Sequence, residues 1–487
     1  MQQQLLQNRW FQGISLALLF VSIALFSYTG NILFITPPFA FLYIILMGTN
    51  WKTAYWILLF FIPLSVQLSF MNDTLSTSLP DEPITWLFLL LFIIMWVRQP
   101  DMIPKWWWRN PLVFIVVLQF LWLIVAVIFS KEQFLSIKFL ISKTWYLTTF
   151  LVLPIWVFKE KRDYKKGFLI FLIPLLLTMV VILYRHWQLG FRFREIQKAV
   201  HYIYYNHVDY STVMSMFFPL VCVALPLINK RKWWWKIVII LIILFFIPAI
   251  ILSYARAAVI AVVFAIIVGL AIRFKLVNFI MPLFYGMIVL LLVYMTNNNK
   301  YIDFRPTYGR TYMHKNFTDH LISTFRGEDM SSMERLYRWI AAIRMSKDRP
   351  ITGYGPHAFY YYYKPYAVSS FRTYVSRNDE QSTTHNYFLY MLVEQGWPAM
   401  ILYAILIVMI FAHAQKIYFR FKDKFYRNCT LGIAMMLAAG FINNFFSELI
   451  ETHKVGALFY LGIALLILLD KKSRDMKAEP DASLIQS

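Results

Sequence analysis

The sequence has few charged residues and few cysteines for its length. Only 15% of its 487 residues are Asp, Glu, Lys or Arg, whereas 60% are hydrophobic and 19% are aromatic. A soluble domain needs more polar surface than this around its core, so the composition excludes a soluble globular protein. The two cysteines, Cys222 and Cys429, have neither the spacing of metal ligands nor the number of a disulfide framework. We therefore assign no function to either cysteine.

Several motifs of known enzyme classes are also missing. The chain has no glycine-rich nucleotide loop after a strand, no Gly-x-Ser-x-Gly, no His-Glu-x-x-His and no Asp-x-Asp pair on a predicted external loop. These motifs hold phosphates, a serine nucleophile, zinc or a divalent cation. We expect no cofactor and no metal ion in this protein.

Long apolar runs recur along nearly the whole chain. A helix needs about 20 apolar residues to cross a hydrocarbon core of about 30 Å, and it satisfies its own backbone polar groups there. The sequence therefore predicts an all-α polytopic membrane protein with twelve to fourteen transmembrane helices. The predicted segments are 11–28, 31–48, 52–70, 84–97, 111–129, 139–158, 167–184, 209–228, 236–253, 257–273, 276–295, 397–416, 429–446 and 455–470.

The net charge of +22 comes from basic residues in short loops between the apolar runs. Such loops fall on every second turn, which is the positive-inside pattern and excludes a nucleic-acid groove. The pattern predicts that both termini are cytoplasmic and that the intervening loops lie outside. The predicted external segments are 71–83, 130–138, 185–208, 296–396 and 447–454.

The predicted spans divide the chain into four parts. Residues 1–295 form N-terminal transmembrane helices, 296–396 a large and mostly helical external loop domain, 397–470 C-terminal transmembrane helices, and 471–487 a cytoplasmic tail. Within the loop domain, 331–344 reads as a serine-capped amphipathic helix with Leu336, Trp339, Ile340 and Ile343 on one face. Asp348-Arg349-Pro350 should end this helix, and Gly353-Tyr354-Gly355-Pro356 should form a tight turn that lets a backbone approach a ligand.

His385 is the first candidate for chemistry, because it lies where the long polar segment returns to apolar sequence. Thr383 or Thr384 is expected to cap the helix that follows, and the helix dipole in a first turn disfavours an imidazolium. A neutral imidazole can accept a proton as a general base, although a histidine at a helix start is often structural. A full span begins at Trp397, so 385–395 is expected to be a separate short helix that holds His385 outside the bilayer.

Three arginines are candidate anion ligands. Arg256 is expected at the external membrane face, where it binds lipid headgroups, an internal carboxylate, or a phosphate or pyrophosphate. Arg335 and Arg338 share a helix face, and Glu334 is spaced to pair with Arg338, which leaves Arg335 as the better ligand.

Two lysines and two acids lie near the same predicted face. Lys138 and Lys143 are expected to contact lipid headgroups or a phosphate. Glu448 and Glu451 are expected either to orient a histidine or to pair with Lys454.

Three motifs in series resemble the O-antigen ligase and polymerase superfamily. They are Ser253-Tyr254-Ala255-Arg256-Ala257-Ala258, then Ser332-Met333-Glu334-Arg335 followed by Pro350-Ile351-Thr352-Gly353-Tyr354-Gly355, and finally His385-Asn386 with Gly396. The order, the spacing and the long external loop match, and the resemblance covers roughly residues 200 to 465.

The resemblance implies a metal-independent, inverting transfer of a glycan from undecaprenyl pyrophosphate to an acceptor hydroxyl. It also implies that the membrane is a bacterial inner membrane and that the external loop domain, 296–396, lies in the periplasm. It implies that His385 activates the hydroxyl and that Arg256 and Arg335 bind the pyrophosphate. We assign Arg338, Lys138, Glu448 and Asn386 to substrate binding. The preferred acceptor is the lipid A-core of lipopolysaccharide, and membrane lipids surround the protein. An O-antigen polymerase, a protein O-oligosaccharyltransferase and a non-enzymatic transporter of lipid-linked sugars stay open as alternatives.

Overall fold

The computed structural model describes residues 9–29, 34, 36–70, 75–228, 233–297, 300, 330–367 and 383–483. Helices dominate these residues, because apolar side chains recur with few breaks. The longer helices are α1 (Arg9–Thr29), α2 (Thr36–Phe61), α3 (Asp81–Arg98), α4 (Pro111–Ile128), α5 (Gln133–Val157), α6 (Lys161–Gln188), α7 (His207–Ala224), α8 (Trp233–Leu252), α9 (Arg256–Arg273), α10 (Val277–Thr296), α11 (Met330–Asp348), α12 (Tyr387–Arg420), α13 (Lys424–Phe445) and α14 (His453–Ser483). Shorter helical pieces are Pro100–Met102, Lys105–Trp108, Phe193–Glu195, Ile196–Val200, Leu225–Leu227, Phe359–Tyr362, Lys364–Tyr366 and Leu449–Glu451.

Eleven of the described helices are long and apolar enough to cross a membrane. This finding confirms the all-α polytopic membrane class. Each of the predicted segments overlaps a described helix, but the count is below twelve to fourteen for two reasons. First, α1 and α3 are not among the eleven, and α3 carries Asp81, Glu82 and Arg98 at its ends. Second, α2 spans two predicted segments.

Helix α2 bends sharply at Asn50, where the backbone leaves helical geometry with φ −149° and ψ 71°. The hydroxyl of Tyr43 donates a hydrogen bond to the carbonyl of Ala54 at 2.8 Å. In a straight helix these two residues would be about 16 Å apart along the axis, which is too far for this contact. The chain therefore turns between 31–48 and 52–70, as the hydropathy predicts.

The predicted segment 52–70 is wrong in its last part. Helix α2 ends at Phe61, before Pro63, because a residue preceding proline disfavours helical geometry. Strands β1 (Val66–Phe70) and β2 (Leu75–Leu79) then form an antiparallel hairpin that pairs Val66 with Leu79. This hairpin is a local exception to the all-α architecture.

The five segments that the charge pattern assigns to one side meet at one end of the helical bundle. Backbone and side-chain contacts join them: Lys131 N to Tyr354 O at 2.9 Å, Lys454 Nζ to Ile203 O at 2.6 Å, Glu82 Oε2 to His453 Nε2 at 3.7 Å, and Tyr387 Oη to Glu451 Oε1 at 2.5 Å. These contacts bring residues from every part of the chain to a common end. The side of the membrane that this end faces stays a prediction, and so do the four domain boundaries. Helix α14 continues to Ser483, so the segment predicted as the tail begins inside a helix.

Candidate functional site

The site is built where helix α12 begins. The cap is Asn386, whose side-chain oxygen accepts a hydrogen bond from the N–H of Leu389 at 3.0 Å. The prediction that Thr383 or Thr384 caps this helix is therefore wrong: Thr384 instead donates from its hydroxyl to the carbonyl of Asn386 at 2.9 Å. His385 lies just before the cap rather than in the first turn.

The backbone of His385 is left-handed, with φ 52°. This conformation is uncommon for a residue with a side chain, and it points the chain sharply into the helix. Asn386 holds the turn from the other side, because its Nδ2 donates to the carbonyl of Phe445 at 3.0 Å. The oxygen and the nitrogen of the Asn386 side-chain amide thus both hold the segment that carries His385 in place. Its predicted contact with substrate is not tested by this geometry.

Helix α11 covers the same segment. Arg338 is buried and donates from Nη1 to the carbonyl of Thr383 at 3.1 Å, and Trp339 donates from Nε1 to the carbonyl of Thr384 at 3.0 Å. The helix ends at Asp348, before Pro350, as predicted. Its most deeply buried side chains include Ala342 and Met345, so the packed face is wider than the predicted one. The predicted serine cap lies outside the side chains that the structure describes.

Glu448 faces His385 from the connection between α13 and α14. Its Oε2 lies 3.8 Å from Nδ1 of His385. The imidazole is about one-third exposed and the carboxylate one-fifth, whereas the oxygen of Glu448 that faces the ring is buried. Of the two roles predicted for Glu448, the structure supports proximity to a histidine. Glu451, three residues later, instead forms an ion pair with Lys143.

Burial and two positive charges keep the imidazole of His385 neutral. Burial is the larger cause and the charges of Arg338 and Arg335 add to it, so that the pKa of His385 falls to about 3. At neutral pH one ring nitrogen is therefore unprotonated. The neutral imidazole predicted from the helix dipole is present, but its main cause is burial.

The carboxyl group of Glu448 has the opposite shift. Burial raises its pKa above the ordinary value, although Thr383 and the charges of Arg338 and Arg335 favour the ionised form. The histidine, the acid and both arginines thus interact electrostatically as one group. Arg338, His385 and Glu448 come from three separate parts of the sequence.

Arg256 reaches the same end of the bundle through the packing of α9 on α13. The rings of Phe264 and Phe441 lie 5.9 Å apart, and Gly269 packs directly against Met435. Residue numbers rise along α9 as they fall along α13, so the two helices are antiparallel. Arg256 is eight residues before Phe264 on α9, whereas only four residues follow Phe441 on α13, so Arg256 lies beyond the end of α13, at the end of the bundle that carries Glu448.

Sequence reasoning missed His207, the first residue of helix α7. The charge of Arg335 acts on its imidazole, so the two groups interact electrostatically. Asn206 caps α7 by accepting from the N–H of Asp209 at 2.8 Å. Helix α7 thus begins with Asn206 as its N-cap, as α12 begins with Asn386, and each asparagine is next to a histidine in the sequence. An asparagine is a common N-cap, so the sequence alone could have indicated this helix start. Helices α7, α9 and α12 therefore all begin at this end.

The two predicted lysines behave differently. Lys138 is exposed on α5 and its charge acts on His357 rather than on His385. Lys143 is largely buried and forms an ion pair with Glu451 at 2.7 Å. The prediction that Lys143 contacts headgroups is wrong, and Glu451 does not pair with Lys454. Lys454 is instead bound by the carbonyl oxygens of Pro63, Ser65 and Ile203.

Three glycines allow the segment that follows α11 to pack closely against α12 and Ser130. Gly396 has φ 83°, and a Cβ there would lie 1.9 Å from the carbonyl oxygen of Ile351. Only glycine accepts this approach, which separates the short helix holding Tyr390 from the span beyond, as predicted. The turn at Gly353 and Gly355 approaches the backbone of Glu394 and the side chain of Ser130 rather than a ligand cavity.

Among the described residues, no group of three or more His, Cys, Asp or Glu side chains is arranged to hold a metal ion. The polar groups that converge are an imidazole, a carboxyl and guanidinium groups. Such a set can accept a proton and bind an anion.

Comparison with known proteins finds one family. Residues 247–404 match the family described as Wzy_C, O-Antigen ligase. The matched range begins shortly before Arg256, includes Arg335 and His385, and ends beyond the glycine break of α12, whereas His207 and Glu448 lie outside it. Among curated proteins the sequence finds no significant match. The family match confirms the resemblance found in the three motifs and supports the O-antigen ligase superfamily for this multi-pass membrane protein.

Proposed function

We propose that this protein is a glycosyltransferase that moves a polysaccharide from undecaprenyl pyrophosphate to the lipid A-core acceptor of lipopolysaccharide. The family match supports an O-antigen ligase or polymerase function in general, with a lipid-linked glycan as donor. The observation that carries the finer proposal is the group formed by His385, Glu448 and the arginines of α11. It combines a proton acceptor with positive charge, and both are needed when a hydroxyl displaces a pyrophosphate.

In this proposal His385 is the general base. The acceptor hydroxyl gives its proton to Nε2 of His385 while its oxygen forms a bond to the anomeric carbon of the donor glycan. The bond between that carbon and the pyrophosphate oxygen breaks, and its electron pair leaves with undecaprenyl pyrophosphate. One displacement of this kind inverts the anomeric configuration. Nδ1 faces Glu448, which orients the ring and stabilises the imidazolium that forms.

Donor binding strengthens the base. In the free protein the charges of Arg335 and Arg338 help to hold the pKa of His385 at about 3, which is low for a general base. A bound pyrophosphate carries negative charge that offsets these arginines. The pKa of His385 therefore rises when the donor is present, and proton transfer becomes easier only in the loaded site.

Arg256 and Arg335 are the proposed pyrophosphate ligands. A guanidinium fork binds two phosphate oxygens at once, and it stabilises charge that develops on the leaving group. The positive ends of α7, α9 and α12 add to this field because all three helices begin nearby. The arginines take the role that a divalent cation has in many other transferases, so the proposed reaction needs no metal ion.

The remaining residues act around this centre. Arg338 and Asn386 hold the backbone of the His385 segment, so we propose them as positioning residues that also line the path of the substrate. Lys138, exposed on α5, is proposed to bind a phosphate group of the donor or acceptor lipid. We further propose that the site faces the periplasm in the inner membrane of a bacterium, with both termini cytoplasmic.

The test is a reconstituted transfer reaction. Purified protein receives lipid-linked donor together with lipid A-core, a protein acceptor, or no second acceptor. Product on lipid A-core alone supports the ligase, whereas product on protein identifies a protein O-oligosaccharyltransferase and a lengthened donor identifies a polymerase. Movement of donor across vesicles without any product would overturn the enzyme proposal.

His385→Ala tests the base within the same assay. We expect transfer to fall by about 10²- to 10⁴-fold, the usual contribution of a general base. The matched control is His201→Ala, which removes an exposed histidine at the same end, whose ring centre lies 4.1 Å from that of Tyr202. Normal product from His385→Ala would contradict the assignment. Loss of transfer in the presence of EDTA would contradict the metal-free reaction.

A further inference from the structure

A large apolar cavity lies at the end of the bundle opposite the candidate site. Its volume is about 690 Å³, within the range of about 300–1,000 Å³ that is typical of ligand pockets. On α13 its lining runs from Phe425 to Met436, whereas Asn386 contacts the other end of that helix at Phe445. Phe425 and Phe445 are about 30 Å apart along a helix, so the cavity is separate from the candidate site.

Most of the side chains that line the cavity are apolar. Phe217 and Leu220 come from α7, and Leu458 and Leu461 come from α14. Gly432 of α13 also lines the cavity and lets α7 pack closely, because a Cβ there would lie only 3.1 Å from Leu220. A flexible apolar chain is the kind of ligand that such walls accept.

The cavity opens toward the surrounding membrane. Trp235 on α8 and Leu169 on α6 line it, yet 60% and 49% of their surfaces are exposed. Both helices are candidate membrane spans, so this exposure faces lipid rather than water. A membrane lipid therefore has direct access.

A positive charge stands at the rim. Lys165 lines the cavity and its Nζ lies 5.4 Å from the ring centre of Phe425, beside Asn428. Within the described part of the chain, no carboxylate lies in ion-pair distance of Lys165. The nearby acids are engaged, since Asp423 binds Lys161 at 2.5 Å and Asp163 accepts from the N–H groups that open α6.

We propose that this cavity binds an anionic diacyl phospholipid. One acyl chain fills the apolar cavity, and the headgroup phosphate lies against Lys165 and Asn428. The charge at the rim selects a lipid with net negative charge over a zwitterionic one. The proposal concerns lipid binding alone and does not depend on the transfer reaction.

Native mass spectrometry of the purified full-length protein tests this site. The protein is offered equal amounts of phosphatidylglycerol and phosphatidylcholine with identical acyl chains. We expect one retained lipid with at least a fivefold preference for phosphatidylglycerol. Lys165→Gln should remove the preference. Lys166→Gln is the matched control, because the Nζ of Lys166 lies 4.7 Å over the ring of Trp56 and does not line the cavity.

A second variant tests the acyl chain. Ala224 lines the cavity, and Ala224→Phe should lower retention of both lipids at least fivefold while thermal unfolding stays close to that of the wild type. The proposal is overturned if the wild type retains no lipid, if it shows no charge preference, or if Lys166→Gln lowers the preference as much as Lys165→Gln. It is also overturned if the folded Ala224→Phe variant retains lipid as the wild type does.

Discussion

Nη1 of Arg338 donates a hydrogen bond to the carbonyl oxygen of Thr383, two residues before His385. The contact links α11 to the left-handed turn that opens α12. Arg338 also acts through its charge, which lowers the pKa of His385. One side chain thus affects both the position and the protonation of the candidate base.

Arg338→Lys separates these two effects, because lysine keeps the charge but loses the guanidinium geometry. We expect transfer to fall about tenfold and the free energy of unfolding to fall by about 1 kcal/mol, the usual cost of a lost hydrogen bond. The measurements are kcat and KM together with thermal unfolding. Arg344→Lys is the matched control on the same helix, since Arg344 donates to the carbonyl of Tyr366 at 3.2 Å. An equal loss of activity in both variants would mean that Arg338 acts only on stability.

Glu448→Gln tests the partner of His385. Because burial raises the pKa of Glu448, its carboxylate takes up a proton at a higher pH than an ordinary glutamate. If the ionised form orients His385, activity should fall on the acid side as Glu448 protonates. The glutamine variant should be about 10- to 100-fold slower at neutral pH and should lack this acid limb. The check is a pH–rate profile of both proteins, and an unchanged profile would rule out the role.

The pKa of His385 predicts a pH-dependent stability. An unfolded histidine has a pKa of about 6.5, whereas that of His385 is about 3. Between these values the unfolded chain binds a proton that the folded chain refuses, so this residue costs stability as the pH falls. Glu448 contributes in the opposite direction because its pKa is raised, and Arg335 and Arg338 stay charged throughout.

His385→Asn should therefore lose less thermal stability than the wild type between about pH 7 and pH 5. The unfolding midpoint of each purified protein measures this difference. Repeating the comparison in the Glu448→Gln background removes the opposing acid, and the difference should persist there. Parallel pH dependences in both backgrounds would show that His385 titrates normally.

Gly396→Ala tests the break in α12. A side chain at this position meets the carbonyl of Ile351 and a φ of 83°, so we expect a loss of about 2 kcal/mol or more. Gly286→Ala in α10 is the control, because a Cβ there has no atom within 4 Å and alanine favours a helix. Thermal unfolding compares the two. Similar midpoints would show that the break at Gly396 is not needed.

Lys143→Met tests the buried ion pair. It leaves Glu451 without its cation, and breaking such a pair costs about 3–5 kcal/mol. Lys138→Met, one turn earlier and exposed, should change the free energy of unfolding by less than about 0.5 kcal/mol. Chemical denaturation in detergent measures both, and a stable Lys143→Met variant would contradict the energetic role of the pair. If Lys138 binds substrate as proposed, its variant should lower transfer without lowering stability.

The helices and the order of the site residues were predictable from local patterns. Apolar runs located the spans, Pro350 ended α11, and Gly396 marked the break before the span that starts at Trp397. These features depend on a few neighbouring residues, which a sequence displays directly. Asn386 as the cap was missed because two threonines nearby are equally good candidates by residue type.

The contacts that complete the site join distant parts of the chain. Lys143 and Glu451 are far apart in sequence, and no motif around either residue predicts that they form a pair. The same is true of His207, which interacts electrostatically with Arg335 of α11 although the two residues are far apart in sequence. The hairpin after Phe61 was missed because the apolar residues of its first strand continue the apolar run of α2, so the sequence shows one uninterrupted hydrophobic segment.

The packing of α9 against α13 makes the position of Arg256 depend on the number of residues in α9. Gly269 fits against Met435, so neither helix can slide past the other without a clash. The number of residues between Gly269 and Arg256 then sets both the height and the direction of the guanidinium. Inserting one residue in this stretch would raise Arg256 by about 1.5 Å and turn it by about 100° about the axis of α9. The chain therefore tolerates many substitutions on the lipid-facing side of α9, but no change in the number of residues there.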